Sequence, residues 1–569
     1  MGVINFNKAN CKNCYKCVRY CPVKAIKVED HQAQIVEDLC IGCGTCFRVC
    51  PQNAKQVASD VDTIREWLDS GEQVAVSLAP SFPGSFIMEN PLQLITALRD
   101  LGFSAIEETA IGAEAVSKKY REDYFGPSRH IITTSCPTVD TLVEKYYSKL
   151  VPYLSTVVSP MMAHGKFLKE KYPGAKVVFA GPCISKKLEV LGQDGKPCID
   201  AVLTFDEMDE WFEEKGINLR ACAPGQFDSD DCDVARFYPL AGGVAKSSVS
   251  DVTGPRRVIK IDGLKNCRDF LDHIDSLHEN YWIEMNACSE GCVNGPGNTH
   301  SPFVKYERIE RVKEYISGNK RGEYSEEKAA KAQGKTYLPK QKDLFDTVPE
   351  SAIEEILRKT GKFKPSDELN CGSCGYDSCR EKAAAVYCGM AELDMCLPYM
   401  RNRNEAISNL IIQSTPNAIA VLDESFHILE FNPAAERTFE ISRAEVVGKV
   451  FDKIFNYSPF IKLKNQDSNS YAGRGYYAYG DIHFMEILTY LPSQNMYLGI
   501  FVDISKEIKK ENAYRQMQVD TLDMAQKVID KQMRVSHQIA ELLGETTAET
   551  KVTLTKLQKI VAVEDGGVE

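Results

Sequence analysis

Cys11-Lys12-Asn13-Cys14-Tyr15-Lys16-Cys17-Val18-Arg19-Tyr20-Cys21-Pro22 and Cys40-Ile41-Gly42-Cys43-Gly44-Thr45-Cys46-Phe47-Arg48-Val49-Cys50-Pro51 are two copies of one pattern, C-x2-C-x2-C-x3-C-P. Thiolates two residues apart on a tight loop can reach three corners of one cubane, and the thiolate before proline crosses to the other cluster. Cys11, Cys14, Cys17 and Cys50 are therefore assigned to one 4Fe–4S cluster, and Cys40, Cys43, Cys46 and Cys21 to a second. Zinc would also need four ligands per site, but the doubled run is not a zinc pattern. A domain of this kind, residues 1–60, relays single electrons and does no bond chemistry. Substrate chemistry must lie further along the chain.

That chain has 569 residues, room for roughly three to five domains. Its 43% hydrophobic and 26% charged residues fit a globular protein. A net charge of −12 argues against nucleic acid or an anionic membrane as a partner. No apolar run is long enough to span a bilayer, and Met1 to Asn10 carries no signal-peptide pattern. The expectation is a cytoplasmic protein. In that reducing setting 21 cysteines point to metal or redox sites rather than disulfides.

Residues 61–345 are read as one α/β domain with a linker. A helix is expected around Val61 to Ser70. Apolar runs Val74–Leu78, Ile131–Thr133 and Val177–Ala180 then alternate with amphipathic stretches Leu92–Leu101 and Met161–Lys171. Cys136 follows a strand in Thr133-Thr134-Ser135-Cys136-Pro137. Cys183 follows another in Gly181-Pro182-Cys183-Ile184-Ser185-Lys186. Cys288 and Cys292 lie in Glu284-Met285-Asn286-Ala287-Cys288-Ser289-Glu290-Gly291-Cys292-Val293-Asn294-Gly295-Pro296-Gly297. Strand ends are where α/β folds place their sites, and the glycines around Cys292 are expected to admit a bulky cofactor. The residues alone describe one cluster on four distant thiolates beside a basic side chain.

These three segments resemble the three signature motifs of FeFe (iron-only) hydrogenases, in the family's order, over about residues 73–300. The resemblance implies an H-cluster: a 4Fe–4S cubane joined through one cysteine to a two-iron azadithiolate unit with CO and CN ligands. It implies that Cys136, Cys183, Cys288 and Cys292 hold the cubane and that Cys292 bridges to the two-iron unit. Lys186 matches the lysine that bonds a cyanide, where an ammonium makes a charge-assisted hydrogen bond. On its own a lysine there would read as a solvated surface residue. Glu189 matches a glutamate that pairs with a nearby cation. Ser159-Pro160 matches a Ser-Pro contacting the dithiolate and a cyanide.

The chain departs from the catalytic pattern at several positions. Ser135 stands where highly active members have a cysteine that passes protons. A hydroxyl proton is far less acidic, so slower turnover is expected. Gly181 and Asn286 replace methionines that pack against the two-iron unit, which implies a roomier or more polar surrounding. Met161 replaces a glutamine, and no residue matches the acids of the usual proton path, Glu122 being near in sequence only. These changes resemble the sensory subgroup of the family. Cys198, Cys222, Cys232 and Cys267 match no motif and are read as ordinary thiols.

Residues 301–345 are lysine-rich and are read as a helical linker. Cys371, Cys374, Cys379 and Cys396 then form a C-x2-C-x4-C-x16-C array in residues 346–404. It resembles a small helical 4Fe–4S domain of electron-transport subunits, with zinc as the alternative and Cys388 as an extra thiol. Residues 405–506 contain no cysteine. Asn417–Asp423, Ile428–Glu436 and Gly499–Ser505 there resemble a PAS α+β domain. Haem through His427 or His483 is a weak alternative. Residues 507–569 read as a helical dimerisation or output tail, with Ile508, Leu522, Ile529, Val535, Ile539 and Leu542 near heptad spacing. A break is expected at Gly544 and a fold-back over Val552–Val561, and His537 faintly resembles a kinase phosphoacceptor.

The fold class expected is multidomain: a ferredoxin-like two-cluster domain, an α/β H-cluster domain, a helical 4Fe–4S domain, a PAS domain and a C-terminal helix. Three functions follow. One is an FeFe hydrogenase of modest rate that senses H2 or redox state through its PAS domain. It would exchange electrons with a ferredoxin or another redox partner, form a homodimer and act on a separate signalling protein. The second is a metabolic ferredoxin-linked hydrogenase, and the third a non-catalytic iron–sulfur scaffold. In the first reading, the ferredoxin-like and second iron–sulfur domains are taken as relays flanking the H-cluster.

Overall fold

The computed structural model describes residues 2–193, 197–229, 232, 234–316, 326–340, 345, 347–450, 463, 470–477, 482–542 and 547–563. They form two compact units, Met1–Met400 and Arg401–Glu569.

The first unit opens with two near-symmetric halves. Strand Ile4–Phe6 pairs antiparallel with Lys55–Val57, and Ile26–Glu29 with Gln32–Ile35. Short helices Lys16–Tyr20 and Thr45–Arg48 carry Cys17 and Cys46. Helix Val61–Asp69 leads into a parallel four-stranded sheet ordered Ala105–Glu108, Val74–Leu78, Lys176–Gly181, Ala201–Thr204. A second parallel sheet holds Arg257–Asp262, Tyr281–Asn286 and Ile131–Ile132. Fully buried strands such as Val74–Leu78 suit this layout, because helices cover both faces of a parallel sheet. The α/β reading of this region thus resolves into two sheets.

The described residues of 301–340 are not a linker. Helix Lys305–Tyr315 packs on the cysteine-motif loops, and Arg308 donates to the carbonyls of Asn298, Ser301 and Phe303. Residues 332–340 then return as a strap. Val158 N–H donates to Ala332 O at 2.8 Å, Lys335 N–H to Thr156 O at 3.0 Å and Lys340 N–H to Glu144 O at 2.8 Å. Ala329 and Ala332 are fully buried. The lysine-rich composition hid this because the buried side chains, among them Val312, Ile316, Ala329 and Ala332, are scattered among charged residues.

Residues 347–400 add helices Glu350–Lys359 and Cys379–Tyr387. Their apolar side chains Tyr376, Ala385, Met390 and Met395 share one core with Val18, Ala25, Ile26 and Val28. Lys24 Nζ donates to Gly375 O at 2.9 Å, Arg19 to Ser373 O at 3.0 Å, and Val28 N–H to Met390 O at 2.9 Å. So the two relays do not flank the α/β domain. Among the described residues, the second iron–sulfur domain docks on the ferredoxin-like one. Gly375 lies at φ +93°, and a Cβ there would sit 3.0 Å from Arg19 N. Gly375→Val is expected to weaken docking by about 1–3 kcal/mol. Hydrogen exchange should show faster exchange at Val28, with the Val158 amide unchanged.

In the second unit, helix Leu397–Ser414 leads into a five-stranded antiparallel sheet. Its order is Ile428–Phe431, Ala418–Leu422, Met496–Asp503, Ile482–Leu491, Ser470–Tyr477. Phe439, Phe484 and Phe501 meet edge to face in its core. His427 Nδ1 lies 3.2 Å from Asp423, and His483 lies on a strand. Helix Ser505–Leu542 follows, and helix Thr547–Val563 packs back on it. The break expected at Gly544 lies outside the described residues.

Candidate active site

Three chain segments converge on one cavity lined by Cys136, Cys183, Cys288 and Cys292. Cys183 follows the end of strand Lys176–Gly181 in the first sheet. Cys136 caps helix Pro137–Tyr146 just beyond Ile131–Ile132, and Cys288 and Cys292 follow Tyr281–Asn286, both in the second sheet. Proline at the first helical position needs no N–H partner, so the turn after Cys136 is tight. The site therefore lies where the carboxyl ends of two parallel sheets meet.

The donor set fits an iron–sulfur cubane. Burial pushes the Cys183 thiol up to about 11 and raises Cys136, Cys288 and Cys292 as well. Thiols buried together ionise only against a cation, and a metal cluster supplies one. Gly42 and Cys43 of the ferredoxin-like domain line the same cavity. A Cβ on Gly44 would lie 2.8 Å from Pro296, so that loop is in van der Waals contact with the third motif.

The glycines near Cys292 do a second job beside the one expected. A Cβ on Gly291, at φ +92°, would lie 2.4 Å from Pro239 O, and one on Gly295 would lie 2.3 Å from Pro182 O. They let chain segments approach one another closely, and Gly295 also lines the cysteine cavity. Gly181 does not leave open room. A Cβ there would lie 2.7 Å from the Phe179 ring, which already takes the space. Asn286 is buried, lines the cavity and donates to Glu284 Oε1 at 3.1 Å.

Beside the cavity, Lys186 Nζ lies 2.7 Å from Glu189 Oε2 and donates to Ser135 O at 3.4 Å. Ser159 Oγ donates to the same Glu189 oxygen at 3.0 Å and caps the helix that begins at Pro160. Glu189 Oε1 accepts no hydrogen bond but lies 3.5 Å from Lys335 Nζ. Lys335 also pairs with Asp140 Oδ2 at 2.6 Å, which accepts from Tyr337 OH at 3.2 Å. Burial would raise the Glu189 carboxyl, but Lys186 and Lys335 outweigh it and hold it below the usual value. Burial likewise opposes the Lys335 ammonium, yet Asp140 and Glu189 raise it well above an ordinary lysine.

Ser135 Oγ is 3.1 Å from Tyr120 OH, which accepts the Thr134 N–H at 2.7 Å. Tyr120 is fully buried. Glu122 pairs with Lys119 at the surface and does not join this network. Met161 packs in the core of the first sheet.

Residues 72–296 match the profile of the iron only hydrogenase large subunit, C-terminal domain. The chain carries an iron-only hydrogenase domain. Residues 10–54 match a 4Fe-4S dicluster domain, 367–398 an FeS cluster family and 409–460 the PAS fold. The chain is 26% identical over 369 residues to the periplasmic [Fe] hydrogenase large subunit of Nitratidesulfovibrio vulgaris, covering 53% of this chain and 87% of that one. It is 26% identical over 314 residues to iron hydrogenase 1 of Clostridium pasteurianum (44% and 54% covered). It is also 28% identical over 205 residues to the cytosolic Fe-S cluster assembly factor NAR1 of Encephalitozoon cuniculi (32% and 56%). An FeFe hydrogenase of Chlamydomonas reinhardtii superposes with a TM-score of 0.42 at 19% identity, over 50% of this chain and 100% of that one.

The hydrogenase domain is served by residues that motif reading passed over: Asp140, Lys335, Tyr337, Tyr120 and Phe179. No spacing links residue 335 to residue 189. Asp140 alone stood close to a cue, four residues beyond Cys136 on the helix that this cysteine caps. The polar run Thr133-Thr134-Ser135 marks its loop as a site but does not name its tyrosine partner. Elsewhere Cys371, Cys374, Cys379 and Cys396 line one cavity together with buried Lys362 and Lys382. Lys362 Nζ lies 3.5 Å from Cys396 Sγ. In the dicluster domain burial raises the thiols of Cys21, Cys40, Cys43 and Cys46, and Cys21, Cys40 and Cys43 raise that of Cys46 further. Cys388 lies at the end of helix Cys379–Tyr387. Cys232 and Cys267 are buried, and Cys198 and Cys222 half-buried. No described helix is long and apolar enough to cross a membrane.

Proposed function

We propose that this protein splits H2 reversibly into two protons and two electrons, at a modest rate, and acts as an H2- or redox-responsive sensor through its PAS unit. The observation that carries this reading is the meeting of four thiols in one cavity beside the Lys186–Glu189 pair. An H-cluster held by Cys136, Cys183, Cys288 and Cys292 would supply the heterolytic chemistry. Lys186, steadied by Glu189, presents an ammonium to an anionic ligand. Ser135, backed by Tyr120, holds the proton position that a cysteine fills in faster enzymes. Cys43 in the cavity wall favours electron exchange with the cluster of Cys40, Cys43, Cys46 and Cys21. The second iron–sulfur domain, docked on the ferredoxin-like one, extends that relay. Exposed Met517, Val528, Val535 and Ile539 on helix Ser505–Leu542 favour a dimer.

The relatives described as Fe-S cluster assembly factors favour a second reading, a non-catalytic iron–sulfur protein. One experiment separates the two. The protein is matured with the two-iron unit, then infrared CO and CN bands and H2 turnover are measured. Bands with slow turnover are expected. Absence of bands would overturn the hydrogenase reading, and turnover typical of fast enzymes would overturn the sensor role in favour of a metabolic hydrogenase.

A further inference from the structure

The two halves of the dicluster domain are repeats, and one position breaks the symmetry. Cys21-Pro22-Val23-Lys24-Ala25-Ile26 aligns with Cys50-Pro51-Gln52-Asn53-Ala54-Lys55. Ile26 is 1% exposed and Lys55 is 2% exposed. Both begin a strand. A lysine thus occupies a core position that the sister half fills with isoleucine.

Burying an ammonium is unfavourable unless it is paired. Lys55 Nζ donates to Ala33 O and lies 3.9 Å from the centre of the Phe6 ring. Among the described residues no carboxylate pairs with it. The groups beside it that can become anionic are thiols: Ala54, the residue before it, donates its N–H to Cys50 Sγ at 3.3 Å, and Cys17, Cys46, Cys11 and Cys50 all act on its charge. Three of these belong to the set Cys11, Cys14, Cys17 and Cys50, and only Cys46 to the set beside the hydrogenase cavity. The natural counter-ion of Lys55 is therefore an iron–sulfur cluster.

We propose that Lys55 raises the reduction potential of the cluster assigned to Cys11, Cys14, Cys17 and Cys50 more than that of its neighbour, and so draws electrons away from the cavity. This rests on the cluster assignment above but not on H2 chemistry. Reduction adds one negative charge to a cluster, and a nearby fixed cation stabilises that charge. The effect falls with distance, so it is unequal for the two. An electron moving from the cavity-side cluster oxidises that cluster and reduces the far one, and Lys55 favours that direction. A symmetric pair would hold the electron on either side equally.

The test uses the full chain with its 4Fe–4S clusters reconstituted and no two-iron unit. Potentials are read by electron paramagnetic resonance during a redox titration. Lys55→Ile restores the residue of the sister half, Lys55→Gln removes charge with little change in size, and Lys55→Arg keeps the charge. Both neutral variants should lower the midpoint of the far cluster, a roughly tenfold fall in its reduced-to-oxidised ratio at fixed solution potential. The cavity-side cluster should shift less, and Lys55→Arg should stay near the parent. Lys27→Met, on the half-exposed sister strand, should shift neither. Equal shifts or none, with iron content intact, would overturn the proposal. So would loss of clusters in both neutral variants with retention in Lys55→Arg, since the charge would then serve assembly. Missing cluster signals in the parent itself would instead refute the cluster assignment.

Discussion

Lys335→Met is expected to destabilise the hydrogenase domain by about 3–5 kcal/mol, the range for removing one partner of a buried ion pair. Lys335 holds two carboxylates, Asp140 at 2.6 Å and Glu189 at 3.5 Å, whose side chains are only 3% and 7% exposed. Without it, Glu189 keeps its pair with Lys186, and Asp140 has no ion-pair partner among the described residues, Lys186 acting on it only at longer range. Burial already pushes Asp140 up to about 6 even with Lys335 beside it. In the variant that carboxyl rises further. A folded pKa above the unfolded one stabilises at low pH, and the benefit is lost as pH rises through the folded value. The variant should therefore lose least stability near pH 5 and most near pH 8. Denaturant unfolding at both pH values checks this, and Lys335→Arg should recover most of the loss. A pH-independent loss would show that the strap contributes packing alone. Lys186 should also move as Glu189 is released, so the cyanide infrared bands of the matured protein should shift.

Ser135→Cys should raise H2 turnover by about 100-fold, the lower end of what a positioned acid–base group contributes. The serine hydroxyl is within 3.1 Å of Tyr120 OH, so its orientation is set. What it lacks is acidity, because a thiol gives up its proton near pH 8–9 and a hydroxyl does not. A cysteine of nearly the same size keeps the tyrosine contact. Turnover with a chemical reductant should rise while the CO and CN bands stay in place. Unchanged turnover would show that the proton leaves by another group, and the Lys335–Asp140–Tyr337 cluster would be the next to substitute.

Much of the site was legible from spacing. The ferredoxin-like run, the four scattered cysteines and Lys186 stand in motifs whose chemistry depends on residue type and order. Lys335 was not legible, because its part in the site comes from a strap that returns to Asp140 across a separation of 195 residues. Composition even misled there, since a lysine-rich stretch reads as solvated. The glycines of the third motif were legible as necessary but not in their second purpose, because a close approach names no partner until the fold supplies Pro239 and Pro182.

By itself, the sequence determined which thiols are the candidates to bind iron, since thiols at fixed intervals on short loops have few other uses. It also determined the departures at Ser135, Gly181 and Asn286. Only the tertiary structure decided that the second iron–sulfur domain sits on the first rather than across the hydrogenase domain. It alone decided that Phe179 fills the place left at Gly181, and that a lysine rather than an isoleucine is buried between cysteines of the dicluster domain. The physical reason is common to all three. Local spacing governs what a loop can ligate, whereas burial and charge pairing depend on contacts between segments that no local pattern encodes.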